Sequence, residues 1–310
     1  MEKYVILPDS ACDLSAEVRE FFGLEDYIPS HVSINESRQI VTDLDWKCIS
    51  KKEFYDLVND KRVKVTTAPP NAEEYFAAFE RYVKEGYAVL SMSLSSAISA
   101  THNFATSAKK RVEELHPEAR IYCFDSYRMS GAFGLLVMHA LRLRNEGKSF
   151  EETIEWLEAN KRRVHQMGPI DDLIVVARRG RITMGKAIMG SFAGVKPMGD
   201  CNSEGYTTVI GKAKGIKKAL AATAKYIAAT IVSPEEQYVL VSHTDRDEYA
   251  NMLKELILKE IPVKGIFVSD VYPSCAPNIG PGMIGAYYLG NEITSDLSAE
   301  KAALAKILGK

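Results

Sequence analysis

The sequence predicts an α/β fold built from two α/β domains. The chain has 310 residues, and a single hydrophobic core stops growing at ~250–300 residues. Short apolar runs bounded by turn residues alternate with segments of helical spacing. Hydrophobic residues make up 46% and charged residues 26%, which is enough to form a large core. We expect an N-terminal domain (1–165) with a mainly parallel sheet and flanking helices, and a C-terminal domain (166–310) with a mixed sheet.

Apolar runs in the N-terminal half predict buried strands. The runs at 4–7, 87–92 and 121–124 lack strict alternation, as expected where helices cover both faces of a parallel sheet. After the breakers Pro69 and Pro70, apolar residues between 75 and 83 recur with helical spacing. This segment is therefore predicted to be a helix that packs on the core.

The next segments predict two helices and a change of domain. A helix over 131–144 ends before Gly147, and Ser149 with Glu152 forms a capping box that starts the following helix. The domain boundary is expected at 165–172. Beyond it, the pattern predicts a strand at 173–176 and then a turn-rich region of Gly and Pro up to Gly211. The elements expected after that are a helix at 217–230, a strand at 238–241, a helix from Asp247 and a strand at 266–268.

Charge and composition exclude several classes of protein. The formal net charge is −2, so no positive field is available to bind nucleic acid or an anionic membrane. The five cysteines are far apart and form no C-x-x-C pair, which argues against a disulfide framework and a zinc site. The N-terminus lacks secretory-signal features and no run approaches the ~20 apolar residues of a membrane span. We expect a cytoplasmic protein without stable membrane insertion.

Hydroxyl-bearing residues follow the predicted strands. In parallel sheets, ligands bind beyond the carboxyl ends of the strands. Asp9 and Ser10 follow the first run, five serines lie within 91–99, Asp125 and Ser126 follow the third run, and Thr66 and Thr67 precede the proline pair. Such residues often only cap helices. Their density favours a second interpretation, in which they form a donor array for an anion.

Two glycine-rich segments match nucleotide-binding motifs incompletely. Residues 180–187 resemble a P-loop, but Ala187 stands where a magnesium-binding Ser or Thr is required. Residues 280–285 match G-x-G-x-x-G but lie near the C-terminus and contain Pro281, unlike a dinucleotide fingerprint. We interpret the second segment as a tight turn before a closely packed helix.

The histidines and a basic trio have mostly structural interpretations. His139 lies in an apolar helix and is predicted to be a satisfied core residue. His102 is the one histidine close to the serine cluster, and a position on a helix surface is favoured for it. The trio Arg178, Arg179 and Arg181 is typical of a solvated turn, although it also suits an acidic partner or a phosphate.

Seven short stretches occur in an order that is found in a known protein family. They are DSACDL at 9–14, TTAP at 66–69, SSAISAT at 95–101, DS at 125–126 with SG at 130–131, RGRI at 179–182, VKP at 195–197 and GPG at 280–282. Together they resemble the DegV family of bacterial lipid-binding proteins over nearly the whole chain.

The resemblance implies a fatty acid bound between two domains. The ligand would be a long-chain acid such as palmitate, without a cofactor, a metal or catalytic residues in this chain. Members of the family act as fatty-acid-binding subunits that present the carboxylate to a separate fatty acid kinase subunit, which carries ATP. The residues implied to bind the ligand are Thr66, Thr67, Ser95, Ser96, Asn278 and Gly280.

Several positions depart from the family's pattern. Asn278 and Ile279 stand where the family usually has a histidine and a threonine. Ala97 and Ala100 replace glycines of the serine loop, and Arg179 replaces another glycine. Since Asn278 donates hydrogen bonds but carries no charge, either neutral donors hold the carboxylate or the ligand differs.

The energetics of a fatty-acid site can be estimated from its two parts, and two other functions remain as alternatives. A buried carboxylate requires convergent hydrogen-bond donors, whereas a 16-carbon tail contributes roughly 12 kcal/mol at ~0.8 kcal/mol per CH₂ before ordering costs. One alternative is a small-molecule kinase or phosphotransferase with Asp9 or Asp125 as base and the loop from Gly180 to Lys186 on phosphate. The other is a family member that binds a different amphiphile.

Overall fold

The computed structural model describes residues 3–171, 173, 176, 179 and 194–309. The fold is mixed α/β, which confirms the predicted class. The strands are β1 (Tyr4–Pro8), β2 (His31–Ile34), β3 (Arg38–Val41), β4 (Val65–Ala68), β5 (Ala88–Ser93), β6 (Ile121–Asp125), β7 (Val164–Pro169), β8 (Val195–Cys201), β9 (Thr207–Lys214), β10 (Tyr238–His243), β11 (Gly265–Asp270) and β12 (Ile284–Leu289).

The α-helices lie between these strands in the chain, and side-chain caps stabilise the first turn of some of them. Two of them begin with the capping boxes of Asn71 with Glu74 and Ser149 with Glu152. The described helices are α1 (Ala16–Phe22), α2 (Lys51–Asn59), α3 (Ala72–Lys84), α4 (Thr101–Leu115), α5 (Ser130–Asn145), α6 (Phe150–Asn160), α7 (Ile216–Thr230), α8 (Asp247–Glu260), α9 (Ala276–Ile279) and α10 (Ser298–Ile307).

A parallel sheet of β1, β5 and β6 forms the centre of the N-terminal half. Successive residues of β1 face opposite sides: Val5 and Leu7 pack with α3 and α4, while Tyr4 and Ile6 pack with α5. All three strands were predicted, and their apolar runs without alternation reflect burial on both faces. The helices predicted at 75–83 and 131–144 are also confirmed.

A second, antiparallel sheet with the order β3-β2-β4 was missed by the sequence analysis. Each of its strands has four residues, too few for a periodic pattern to emerge. The sheet matters for function because β4 carries Thr66 and Thr67, so these two residues do not lie on the parallel sheet with the serine loop.

The C-terminal half contains a six-stranded mixed sheet with the order β11-β10-β12-β7-β8-β9. Strand β12 pairs antiparallel with both β10 and β7 and therefore completes the sheet from its centre. The division predicted between residues 165 and 166 stays a prediction, and it falls within β7.

Three predictions for this half are wrong. The segment before Gly211, expected to be rich in turns, includes strand β8 and the start of strand β9. The glycine-rich turn at 280–285 leads into strand β12 and not into a helix. Leu173 and Val176 have helical conformation, so neither end of the strand predicted at 173–176 is extended. The last two errors involve short apolar runs, for which periodicity does not distinguish a helix from a strand.

Helix α5 joins the two halves through its packing. Nearly every side chain from Ser130 to Leu143 is buried, because one side of the helix meets the N-terminal sheet and the other meets the C-terminal sheet. Gly131 allows close approach: a Cβ there would overlap the ring of Tyr287 on β12. In the described part of the chain, no helix combines the length and apolarity required to cross a membrane.

A polar cluster, which we name the Lys51 clasp, also connects the halves. The ammonium of Lys51 on α2 lies 2.8 Å from Asp247 Oδ1 and 2.7 Å from Asp270 Oδ1. The indole Nε1 of Trp46 donates to Asp270 Oδ2 at 2.9 Å. These contacts tie α2 to α8 and β11.

Candidate functional site

Two adjoining cavities lie at the junction of the halves. The polar chamber encloses about 640 Å³ of space free of protein atoms, and the apolar chamber about 610 Å³, in each case partly open to solvent. The chambers are contiguous because Met129, Val176 and Ile279 line both.

The polar chamber is lined by hydroxyl and amide groups from both halves. Asn278 Nδ2, on α9, donates to Thr67 Oγ1, on β4, at 2.9 Å. Ser99 Oγ and Thr101 Oγ1 lie 2.7 Å apart, so one of these hydroxyls donates to the other and the second keeps its proton for another acceptor. No charged side chain occurs among the described lining residues. The chamber therefore offers neutral hydrogen-bond donors.

Strand geometry separates the two neighbouring threonines. Successive side chains of a strand point to opposite faces, and Thr67 lines the polar chamber whereas Thr66 does not. The structure thus brings Thr67 and Asn278 together, but not Thr66.

The serine loop lines the polar chamber with Ser99, and not with Ser95 and Ser96 as expected from the sequence. Ser95 is fully buried and its Oγ accepts from the backbone N–H of Ala97 at 3.3 Å. Ser96 is exposed, and its backbone N–H donates to Asp125 Oδ1 at 3.1 Å. Neither serine lines a described chamber, while Ser99, three residues farther on, lines the polar one.

Gly280 has a backbone role. It ends α9 with φ of 78°, a left-handed value that favours glycine, and its N–H donates to the carbonyl of Ala276 at 2.8 Å. This turn fixes the short helix that carries Asn278.

Ser30, Ser274 and Thr101 also line the polar chamber and were not singled out from the sequence. Ser30 lies just before β2 and Ser274 just after β11, outside any motif. Thr101 was within reach of sequence reasoning, because it closes the SSAISAT stretch.

The apolar chamber has a lining suited to hydrocarbon. It includes Met129, Met167, Met198 and Met283, and the flexible methionine side chain adapts to irregular ligand shapes. The rest of the described lining is Ser130, Gln166, Gly168, Ile170, Leu173, Val176, Pro197, Gly199, Thr207, Val209, Ile279, Ile284, Gly285 and Tyr287.

The aspartates considered as catalytic bases have structural partners. Both carboxyl oxygens of Asp9 accept backbone N–H groups, from Ala11 at 2.8 Å and from Leu94 at 3.0 Å, and burial raises its pKa to about 7. Asp125 Oδ1 accepts from the backbone of Ser96 and of Tyr127. Neither aspartate lines a described chamber. Residues 180–187, with Lys186, lie outside the described residues.

The histidine and arginine predictions have mixed outcomes. His139 is buried in α5, as predicted, but both ring nitrogens lack a hydrogen-bond partner among the described residues, so it is not a satisfied histidine. Its ring stacks against Trp156 instead, at 4.7 Å between centroids. His102 is half-buried on α4 and lines neither chamber.

Arg179 donates to the carbonyl of Val65 at 2.8 Å, whereas Arg178 and Arg181 lie outside the described residues.

His243, Asp247 and Asp270 are close enough to suggest a metal site, with ligand atoms within 4.8 Å of one another. The ammonium of Lys51 already lies between the two carboxylates. His243 Nδ1 accepts the backbone N–H of Arg246 at 3.1 Å, so the proton of the neutral ring is on Nε2, the atom that faces the carboxylates. A proton-bearing nitrogen is no metal ligand, and these groups form part of the Lys51 clasp.

Comparison with known proteins gives matches along nearly the whole chain. A family model described as "Uncharacterised protein, DegV family" matches residues 3–291. The DegV domain-containing protein CPE0026 of Clostridium perfringens is 31% identical over 291 residues, which cover 94% of this chain and 99% of that protein.

Solved structures share the fold. A DegV family protein from Ruminococcus gnavus, refined with vaccenic acid, superposes with a TM-score of 0.82 at 23% identity, covering 92% of this chain and 99% of the other. DegV of Bacillus subtilis, described as a fatty acid binding protein, gives 0.77 at 26% identity, covering 94% and 100%. The matches along the sequence and the shared fold agree, and the chain belongs to the DegV family.

Proposed function

We propose that this protein binds a long-chain fatty acid, with the carboxylate in the polar chamber and the acyl tail in the apolar chamber. The observation that carries this proposal is that the two cavities adjoin, with Met129, Val176 and Ile279 in the walls of both. A chamber with neutral donors beside a chamber with a mostly hydrocarbon lining matches an amphiphile with one small polar end.

The chemistry of the polar chamber supports a carboxylate as the head group. Thr67 Oγ1 accepts from Asn278, so its own hydroxyl proton is available to a ligand, and Asn278 Nδ2 keeps a second proton. Hydrogen bonds to an ionised acceptor are stronger than neutral ones, which compensates for removing the carboxylate from water. Each replaced donor should cost ~1.5–3 kcal/mol.

Related proteins support an acyl ligand. The structure from Ruminococcus gnavus is described as an alternative refinement of a structure with vaccenic acid, and a family member from Eubacterium ventriosum is described as binding stearic acid. We extend this ligand class to the present chain, with palmitate as a suitable probe. No cofactor enters the proposal.

The proposal also gives a role to the protein with a fatty acid bound. We infer that it acts in the cytoplasm, performs no chemistry itself and presents the carboxylate to a separate fatty acid kinase subunit. The structural roles of Asp9 and Asp125 support a binding protein over a kinase. Turnover of ATP by the isolated chain in the presence of palmitate would contradict this inference.

Binding of palmitate by the Thr67→Val variant tests the site. Valine keeps the shape of threonine and removes the hydroxyl donor, so we expect palmitate affinity, measured by isothermal titration of delipidated protein, to fall about 10- to 100-fold. Thr66→Val is the matched control, because its side chain lies on the other face of β4, and its affinity should stay within about 2-fold. Wild-type protein that binds no fatty acid, and yields none on native mass spectrometry, would refute the proposed function.

A further inference from the structure

Four hydroxyl groups form a buried cluster beneath the polar chamber. Ser10 Oγ lies 2.7 Å from Ser274 Oγ and 3.1 Å from Thr42 Oγ1, and Thr42 Oγ1 lies 3.0 Å from Ser274 Oγ. Ser10 also donates to Ser30 Oγ at 3.2 Å. Two members, Ser30 and Ser274, line the chamber. The cluster joins residues from distant parts of the chain.

Counting protons identifies one hydroxyl with an unused donor. Thr42 donates to the carbonyl of Ser30 at 3.0 Å, and Ser10 and Ser274 have acceptors within the cluster. Ser30 Oγ accepts from Ser10, and it donates to no described residue. The geometry of the Ser10–Ser30 contact makes Ser10 the donor, so the single proton of Ser10 is used there and Ser274 donates to Ser10 or to Thr42.

A buried hydroxyl with an unused proton carries a desolvation cost, and where the hydroxyl lines a chamber a ligand can offset that cost by accepting the proton. Ser30 is only 6% exposed, and the chamber is the open space beside it. The backbone of Ser30 is fixed as well, since its N–H donates to Ser10 Oγ at 2.9 Å and to Thr42 Oγ1 at 3.1 Å. The hydroxyl is therefore held in place before a ligand arrives.

We propose that Ser30 is a head-group donor of the polar chamber, oriented by Ser10, Thr42 and Ser274, and that it hydrogen-bonds the carboxylate of the bound acid. This inference rests on the proposed function. It adds a donor from the loop before β2, a segment that carries none of the motifs of the site. It also gives Ser10, Thr42 and Ser274 a role as positioning residues.

The test compares two ligands that differ only at the head group. A donor to the carboxylate favours palmitate over methyl palmitate, whose ester oxygens are weaker acceptors. In Ser30→Ala, palmitate affinity should fall about 10-fold or more, while methyl palmitate affinity stays within about 2-fold. Ser30→Cys keeps the size of the side chain with a weak donor and should give an intermediate loss, which checks the result if the alanine variant is unstable.

Ser91→Ala is the control, because Ser91 on β5 is also fully buried and its hydroxyl has no partner among the described residues, yet it lines neither chamber. It should bind both ligands as the wild type does. Equal palmitate affinity of folded Ser30→Ala and the wild type would overturn the role of Ser30 and leave the proposed function intact. Equal losses for both ligands would also overturn it, since they would reveal a change of chamber shape. A wild type that binds neither ligand would overturn both proposals.

Discussion

Individual side chains of the polar chamber join parts of the chain that are far apart in sequence. Thr67 and Asn278 are separated by 211 positions and share one hydrogen bond. Because each group retains a proton for a ligand, a bound carboxylate would contact both halves at once. A histidine at position 278 would add a charge that varies with pH, whereas asparagine keeps the donor neutral at every pH.

His139 makes stability sensitive to acid. Burial lowers its pKa to about 3, compared with ~6.5 for a histidine in an unfolded chain. Between these values the unfolded state binds a proton that the folded state excludes, so stability falls as pH drops from about 6.5, by up to ~1.4 kcal/mol per pH unit.

We therefore expect His139→Phe to reduce this acid sensitivity. A small cavity beside His139 leaves room for the larger ring. The measurement is the free energy of unfolding in urea at pH 7, 6 and 5, where the variant should lose less stability than the wild type. His116→Gln, at a half-buried histidine beside two glutamates, is the control. The same pH slope in His139→Phe and wild type would contradict the expectation.

At the scale of elements, the Lys51 clasp holds α2 against α8 and β11. Lys51 is about a quarter exposed and Asp270 less than a fifth, whereas Asp247 is mostly exposed. Removing the ammonium leaves two carboxylates facing the same space without a cation. The cost should exceed that of an ordinary surface ion pair, because one of the carboxylates is mostly buried.

We expect Lys51→Met to lower the free energy of unfolding by about 1–2 kcal/mol. The neighbouring Lys52 pairs with Asp56 on the exposed face of the same helix, so Lys52→Met should change stability by less than ~0.5 kcal/mol. Urea denaturation followed by circular dichroism measures both. If the two variants are equally stable, the clasp is an ordinary surface contact.

Local sequence patterns predicted the elements that are buried uniformly along their length. Strands β1, β5 and β6 are buried on both faces and read as apolar runs, and α5 is apolar throughout because it lies between two sheets. Strand β12 is equally buried, but its glycine-rich approach suggested a helix. The antiparallel sheet that carries β4 was missed because strands of four residues are too short for a periodic pattern. Sequence spacing also does not report which sheet a strand joins.

The site was predictable only in part for the same reason. Thr67 and Asn278 were named from motifs, and the structure places both in the polar chamber. Alternation along β4 decides between Thr66 and Thr67, but it needs the strand and its orientation. Ser30 and Ser274 join the chamber through tertiary contacts that no local pattern encodes.

At the scale of the whole molecule, the chambers lie between the two halves, and each half contributes residues to their lining. A ligand that contacts both should stabilise them together, by about 2.7 kcal/mol at a ligand concentration of 100 times Kd. The segments that line the polar chamber in each half would then unfold locally less often.

We expect palmitate to slow amide hydrogen exchange in both β4 and α9, measured by mass spectrometry of the delipidated protein with and without ligand. Helix α10 has no residue in the described lining of either chamber and serves as the internal reference. Protection confined to one half would contradict a ligand that bridges the two.

The central position of β12 has a consequence for synthesis on the ribosome. Its partners β10 and β7 are made first, yet they do not pair with each other in the finished sheet. Until residues 284–289 emerge, both strands present unpaired edges that other chains can join. A nascent or truncated chain that ends before β12 is therefore exposed to aggregation, and chaperone binding during translation should be strongest in the interval between the appearance of β10 and that of β12.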